Sequence, residues 1–207
     1  MASRKHEYFM LYKPYGVLSQ FTDRGGRQTL NNYGPFPPTV YPVGRLDADS
    51  EGLLFLTNDT MLKEYLLEPR FEHPRTYWVQ VEGVPEESAL RQLEEGVLVE
   101  GHKTKPADVR LMKEEPPLPP RPVPIRFRKH VPTSWIELTL REGRNRQVRK
   151  MTAAIGHPTL RLVRVQMGNL SLGSMLPGES RPLDEAEREE LKKQIQMKYH
   201  KKPRRAP

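Results

Sequence analysis

The feature that most restricts the fold of this chain is an acidic turn joined directly to an apolar run. The turn spans residues 44–52, and the apolar run at residues 53–56 follows it at once. Three carboxylates lie within the turn, at Asp47, Asp49 and Glu51. Leu46 and the apolar run both favour burial, so they hold the turn against the core. A carboxylate held there needs a cation or several donors, which the fold must bring from elsewhere in the chain.

The turn could bind a metal ion, or its carboxylate Asp47 could have a structural or a catalytic role. It resembles the opening of a calcium-binding loop, but the twelfth position is Asn58 instead of Glu, and Pro42 stands where an entering helix would lie. We therefore expect no metal site. Asp47 is either a member of a structural ion pair or a catalytic acid, and the local residues alone favour the structural role.

Strand and helix patterns are intermixed without a regular repeat. Aromatic, branched and alternating residues predict strands over residues 7–12, 76–81 and 136–140. A further strand starts at Leu160, and its alternation slips at Val163 as at a bulge. Apolar spacing and end signals predict helices over residues 59–67, 86–95, 146–155 and 184–198. The mixture indicates an α+β fold with a mixed, mainly antiparallel sheet.

Composition excludes several classes of protein. The 207 residues contain no cysteine, which excludes disulfides, thiolate metal sites and a cysteine nucleophile. No run approaches the roughly 20 apolar residues of a membrane helix, and the N-terminus lacks a secretory pattern, so we expect a cytoplasmic protein. Prolines cluster in residues 114–132, which predicts an ordered loop and not a flexible linker, because strand-like sequence resumes after Thr133.

Positive charge is concentrated in two segments. The net charge is +8, yet residues 121–164 hold 11 Lys and Arg against two Asp and Glu, and residues 192–207 hold seven against none. This distribution indicates a polyanionic partner, of which nucleic acid is the commonest.

Within the first basic segment, residues 141–150 hold five Lys or Arg and open a helix. Arginine forks and a helix N-terminus suit phosphate, while Asn145 and Gln147 could contact base edges. A solvated basic helix is the alternative, but Arg144 and Arg146 make the cluster denser than such a face requires.

Two further motifs lie on predicted strands. Alternation over residues 75–81 places Tyr77 on the opposite face from Trp78, which we expect in the core. A tyrosine facing a cleft could stack under a base. Lys13 closes the first strand in a turn with Pro14 and Gly16, where it could reach a phosphate, although a plain turn is the commoner structure.

Taken together and in order, these motifs resemble the pseudouridine synthases. The resemblance covers residues 7–175 and rests on the lysine-proline turn at 13–16, the turn at 44–54, the Arg-x-Tyr motif at 75–77 and the basic motif at 142–151. Within the group that acts on ribosomal RNA, residues 20–23, 132–135 and 156–162 most resemble the large-subunit subgroup E. An S4-type RNA-binding domain does not precede residue 7, as in that subgroup.

The resemblance implies a fold, a reaction and roles for individual residues. It implies a pseudouridine synthase fold whose two halves flank a catalytic cleft, with a catalytic domain over residues 1–183 and a helix and basic tail over 184–207. Asp47 would act on the uridine while the glycosidic bond breaks, Tyr77 would lie against the base, and Arg149 would pair with Asp47. Residues that would bind RNA are Lys13, Arg45, Arg144, Asn145, Arg146 and Gln147. No cofactor or metal is implied, the partner is large-subunit ribosomal RNA, and we expect a monomer.

Overall fold

The computed structural model describes residues 6–125 and 131–200. The helices are α1 (Thr60–Leu67), α2 (Glu87–Glu95), α3 (Gln147–Ala154) and α4 (Glu185–His200). The longer strands are β1 (Tyr8–Lys13), β3 (Glu51–Thr57), β4 (Arg75–Glu82), β7 (Asp108–Leu111), β8 (Thr133–Leu140) and β9 (Thr159–Met167). The short strands are β2 (Tyr41–Pro42), β5 (Leu98–Val99), β6 (His102–Lys103), β10 (Leu170–Ser171) and β11 (Ser180–Pro182). Among the described residues, no helix is both long and apolar enough to cross a membrane.

One large sheet organises the chain. Its central path runs β11-β1-β3-β9-β4-β8-β7, while β2 and β10 pair with β3 and β9. Every pairing in it is antiparallel except that between β3 and β9, which is parallel. The parallel pair is a seam between a half built on β1 and β3 and a half built on β9, β4 and β8. The predicted α+β fold with a mixed, mainly antiparallel sheet is thus confirmed.

The seam depends on one glycine of the acidic turn. Gly52 pairs with Arg164 of β9 and has a φ of +104°, a conformation that side chains disfavour. A Cβ at Gly52 would lie 2.3 Å from the Arg164 carbonyl oxygen, so only glycine permits this approach. Next to it, Glu51 accepts two hydrogen bonds of 2.9 Å from the Arg161 guanidinium, and both side chains are buried.

Hydrophobic clusters cover both faces of the sheet. On one face, α1 and α4 pack on β1, β3 and β9, with Leu66 and Leu191 among the buried contacts. On the other face, α2 and α3 cover β4, β8 and β9, while residues around Leu30 and Val40 cover β1 and β3. The two covers on this second face belong to different halves of the sheet. A cleft between them can therefore be lined from both halves.

The structure agrees with most of the predicted elements and corrects some details. The four predicted helices and the predicted strands are present, with ends shifted by a few residues. In β9 the strand continues through Val163, and the register irregularities fall at Leu160 and Val165. Trp78 is half-buried and not in the core, because it lies on the face of β4 where its Nε1 donates to Glu137 Oε2 at 2.9 Å.

The proline-rich loop packs on the protein over the part that is described. Pro119 accepts a 2.9 Å hydrogen bond from Arg161 through its carbonyl oxygen, and Leu118 contacts the core. Farther along, the Arg121 guanidinium lies 4.1 Å from the centre of the Tyr15 ring. These contacts favour an ordered loop over residues 114–125. Residues 126–130 of the basic segment lie outside the described residues.

Candidate active site

A cleft of about 250 Å³ opens between the two halves of the sheet. One wall is the acidic turn, with Asp47 and Arg45, and the floor includes Tyr77 of β4 and Leu162 of β9. The opposite wall is the loop at residues 142–147, which connects β8 to α3. The cleft therefore joins three motifs that lie up to about a hundred residues apart in the sequence.

The acidic turn is held in place by backbone hydrogen bonds and by one serine. Leu46 is buried, as its sequence context predicted. Ser19 Oγ donates to the Leu46 carbonyl oxygen at 2.7 Å and accepts from the Leu46 amide at 3.0 Å. The Ser50 amide donates to the Asp47 carbonyl oxygen at 3.0 Å, which closes a tight turn. Nothing in the sequence around Ser19 indicated this role, because the contact spans 27 residues.

The cation beside Asp47 is a different arginine from the one expected. Arg146 Nη1 lies 3.4 Å from Asp47 Oδ2, and the same guanidinium donates to both Asp49 oxygens at 3.1 and 2.8 Å. Among the described residues, the ion pair to Asp47 is made by Arg146, whereas Arg149 pairs with Asp49. The expected Asp47–Arg149 pair is thus corrected. The reason is the turn geometry, which places Asp49 between Arg149 and the cleft.

Arg146 reaches the two carboxylates from an unusual backbone position. It precedes the first residue of α3 and has a φ of +52°, in the left-handed region that residues other than glycine seldom adopt. Such a conformation costs on the order of 1 kcal/mol and is retained only where surrounding contacts enforce it. Here the enforcing contact is the bidentate pair with Asp49.

Arg149 joins the acidic turn to the sheet. Its side chain is largely buried, and Nη2 donates to the Asp49 carbonyl oxygen at 2.6 Å. Nη1 donates to the Thr159 carbonyl oxygen at 3.4 Å, at the start of β9. Burial lowers the pKa of Arg149 below its ordinary value, and the charge of Asp49 opposes that effect. Arg149 therefore orients Asp49 from behind.

Asp49 is the residue of the candidate site that the sequence argument did not single out. Burial would raise its pKa, but the hydrogen bond from Arg146 and the charges of Arg149 and Arg146 lower it below the ordinary value. Asp49 therefore stays ionised at neutral pH and organises both arginines. The signal was present in the sequence as two carboxylates two residues apart in one turn, facing a cluster of arginines.

Tyr77 lies where strand alternation placed it. It is half-buried, shares a face with Val79 and Val81, and lines the floor of the cleft. Its register partner on β9 is Arg164, next to an irregularity at Val165. The side chain thus presents an aromatic surface to the cleft that contains Asp47.

The loop at residues 142–147 is fixed from inside by a buried amide. Gln147 Nε2 donates to Glu142 Oε1 at 2.6 Å, and Gln147 Oε1 accepts from the Arg144 amide at 2.9 Å. Gln147 is buried, so the expectation that it binds a base edge is corrected: its amide is already used in shaping the loop. Arg144 and Asn145 are exposed on this loop, and Arg45 is exposed across the cleft.

Lys13 does not face the cleft as a phosphate-binding residue would. Its side chain is fully buried, and Nζ donates to the carbonyl oxygens of Pro14 and Val17 at 2.9 and 2.7 Å. Burial lowers the pKa of Lys13 to about 8, against the opposing charges of Glu51, Asp49 and Asp47. The expected RNA-binding role is therefore corrected: Lys13 closes the turn that follows β1. Among the described residues, no cluster of three or more His, Asp or Glu is arranged to hold a metal ion.

Comparison with known proteins identifies the group to which this arrangement belongs. The family profile described as RNA pseudouridylate synthase matches residues 7–154, which include every motif of the cleft. The chain is 55% identical over 174 residues to ribosomal large subunit pseudouridine synthase E of Xanthomonas campestris pv. campestris, covering 83% of this chain and 92% of that protein. It is 52% identical to the protein of the same name from Vibrio parahaemolyticus, over 81% of this chain and 69% of the relative.

A solved structure extends the comparison to the fold. A crystal structure of a pseudouridylate synthase superposes with a TM-score of 0.74 at 29% identity, covering 92% of this chain and 76% of the other. The family match spans more than half of the chain, and the relatives exceed half identity over most of their length. The chain belongs to the RNA pseudouridylate synthase family.

Proposed function

We propose that this chain converts a uridine of large-subunit ribosomal RNA to pseudouridine, with Asp47 as the essential carboxylate. Relatives that are 55% and 52% identical to it over the aligned residues carry the name ribosomal large subunit pseudouridine synthase E. The observation that supports Asp47 is its position in the cleft, where Tyr77 lines the floor and the Arg146 guanidinium lies 3.4 Å from the Asp47 carboxylate.

The reaction is an isomerisation, so its atoms balance without a co-reactant. The bond between ribose C1′ and uracil N1 breaks, the freed uracil rotates, and a bond forms between C1′ and C5. The proton on C5 is lost and N1 gains one. Asp47 acts on the nucleotide while the glycosidic bond is broken, either as a nucleophile or as a base.

The neighbouring residues have distinct roles in this proposal. Arg146 fixes the direction of Asp47, since its guanidinium lies 3.4 Å from the carboxylate. Arg149 is a positioning residue that acts through Asp49. Tyr77 lies against the target base and, because it borders the site of rotation, can assist removal of the C5 proton.

Binding requires the target uridine to leave its stack. Extruding a base costs a few kcal/mol, and stacking on an aromatic ring contributes about 1–3 kcal/mol in return. Tyr77 offers that ring, while the exposed side chains of Arg45, Arg144 and Asn145 surround the mouth of the cleft. We place the catalytic unit at residues 1–183 and infer that it acts as a monomer in the cytoplasm.

The proposal is tested by mapping the product. Unmodified large-subunit ribosomal RNA is incubated with the wild-type chain and with Asp47→Asn, and pseudouridine is located by carbodiimide-blocked primer extension. We expect one new stop with the wild type and none with Asp47→Asn. Asn58→Asp, a change of the same size outside the cleft, serves as the control and should retain the stop.

Two results would overturn the proposal in different ways. If the wild type produces no stop on large-subunit RNA, the substrate assignment fails, and a non-catalytic RNA-binding protein becomes the better description. If Asp47→Asn still produces the stop, the reaction stands and the assignment of Asp47 fails.

A further inference from the structure

A second cavity of about 210 Å³ adjoins the cleft and is lined by Tyr77 but not by Asp47. The two cavities share Tyr77, Arg45 and the loop segment at 142–144 as common walls. The second cavity is lined by five arginines: Arg45, Arg75, Arg141, Arg144 and Arg164. Arg45 and Arg144 also border the mouth of the cleft, whereas the side chains of Arg75, Arg141 and Arg164 have no role in the proposed reaction.

Arg164 is the most buried of the five. Its exposed fraction is 3%, and it lies on β9 between Gly52 of β3 and Tyr77 of β4. Nε donates to the Leu53 carbonyl oxygen at 2.8 Å, whereas the buried Nη2 has no hydrogen-bond partner among the described residues. A buried N–H left unpaired is unfavourable, and more so when it is charged.

Arg75 brings a second guanidinium close to the first. Its Nη2 donates to the Leu66 carbonyl oxygen at 2.7 Å, and its Nη1 would lie 3.4 Å from a Cβ added at Gly143. Burial lowers the pKa of Arg75, and the positive charge of Arg164 lowers it further. Two partly or fully buried cations thus face one cavity and repel each other.

The carboxylates of the cavity do not neutralise this pair. Glu142 is used by the Gln147 side chain and the Lys105 amide, at 2.6 and 2.8 Å. Glu68 is an exposed residue at the end of α1. Among the described residues, neither Arg75 nor Arg164 forms an ion pair. A buried charge without a counter-charge is strongly unfavourable, so this cavity favours an anion that none of the described residues supplies.

We propose that this cavity, formed around Arg75 and Arg164, binds a backbone phosphate of the RNA next to the target uridine. The inference rests on the proposed function, because it takes the RNA to be the ligand of the adjoining cleft. Guanidinium forks match phosphate oxygens, and a phosphate held there would anchor the strand immediately beside the ring of Tyr77. The target base is then fixed between this anchor and Asp47.

The test measures how RNA binding depends on salt. The affinity of the full chain for an unmodified large-subunit ribosomal RNA transcript is measured by filter binding at several salt concentrations. Loss of one phosphate contact reduces the slope of log K against log salt by about 0.7–0.9. We expect that reduction for Arg75→Met and for Arg164→Met, and an unchanged slope for Arg75→Lys, which keeps the charge. Arg91→Met is the matched control, because Arg91 lies on the solvent side of α2 and should keep the slope.

A second measurement guards against misfolding and identifies the source of the anion. Variants are compared only where circular dichroism shows the wild-type spectrum, and Arg75→Lys provides a folded comparison if Arg164→Met does not fold. A folded Arg75→Met with the wild-type slope would overturn the proposal. So would saturable binding of inorganic phosphate with an unchanged RNA slope, which would make free phosphate the ligand.

The test of the phosphate site can fail or succeed independently of the test of the proposed function. Primer extension reports product formation, whereas the salt slope reports only phosphate contacts. A reduced slope without any stop would support the phosphate site and refute the synthase substrate. A stop with an unchanged slope in the folded variants would do the reverse.

Discussion

The buried ion pair beside the seam allows the most direct test of the architecture. Glu51 and Arg161 form two 2.9 Å hydrogen bonds, with side-chain exposures of 2% and 8%. Changing Glu51 to Gln leaves the guanidinium buried and without a counter-charge. Breaking such a pair costs about 3–5 kcal/mol, which is a large part of a typical unfolding free energy of about 5–15 kcal/mol.

The magnitude is measured by urea unfolding of the wild type, Glu51→Gln, Arg161→Met and the double variant Glu51→Leu/Arg161→Met. We expect each single change to lower the free energy of unfolding by about 3 kcal/mol or more, because one buried charge is left alone. The double variant should be more stable than the sum of the single effects predicts, since no charge remains. Arg161→Met also loses a hydrogen bond to Pro119, so it should be the costlier single change.

The reasoning would be refuted by either of two results. A loss below about 1 kcal/mol in Glu51→Gln would place the pair among weak surface interactions. Strict additivity in the double variant would show that the two side chains do not interact. Glu87→Gln is the control, because its pair with Arg91 is largely exposed on α2 and should leave unfolding unchanged.

Three further predictions concern the seam, the acidic turn and its lysine. Gly52→Ala should lower the free energy of unfolding by about 3 kcal/mol or more, because its Cβ would meet the Arg164 backbone at 2.3 Å; Gly101→Ala, at φ +80° with open space around it, should cost only about 1–2 kcal/mol in the same urea assay. Asp49→Asn should reduce kcat in the primer-extension assay far more than it raises KM, because both arginines lose their anchor while the exposed binding residues remain; equal changes in both would contradict this. Burial lowers the Lys13 pKa to about 8, so between pH 8 and 10.5 the unfolded chain binds a proton that the native chain has released. The free energy of unfolding of the wild type should therefore rise over this range by up to about 1.4 kcal/mol per pH unit, and Lys13→Met should abolish that rise. Parallel pH profiles of the two proteins from urea unfolding would refute this prediction.

Local sequence patterns were sufficient to predict most of the secondary structure. Helix α2 was bounded by Pro85 and Gly96, and β4 was recognisable from its aromatic and branched residues. Short strands such as β5 and β10 were not predicted, because two residues carry too little pattern to separate them from a loop. Their pairing depends on partners that are distant in the sequence.

The residues that the sequence suggested for the candidate site also fall into two groups, those that line the cleft and those that do not. Asp47 and Tyr77 could be named from motif and alternation, because each is fixed by its own strand or turn. Lys13 and Gln147 were assigned to RNA because their types suit it, yet both are buried and bonded to the protein. Burial is a property of the packed structure, and residue type alone does not determine it.

The sequence by itself determined that a carboxylate in an acidic turn, pulled inward by Leu46, needs a cation from elsewhere in the chain. The tertiary structure decided which cation it is. Arg146 and Arg149 are three residues apart on or beside α3, and both were available by charge and spacing. Only the packing of the turn on the helix places Arg146 beside both Asp47 and Asp49 and Arg149 beside Asp49. Ion-pair geometry is set by contacts between residues distant in the sequence, and local patterns do not carry that information.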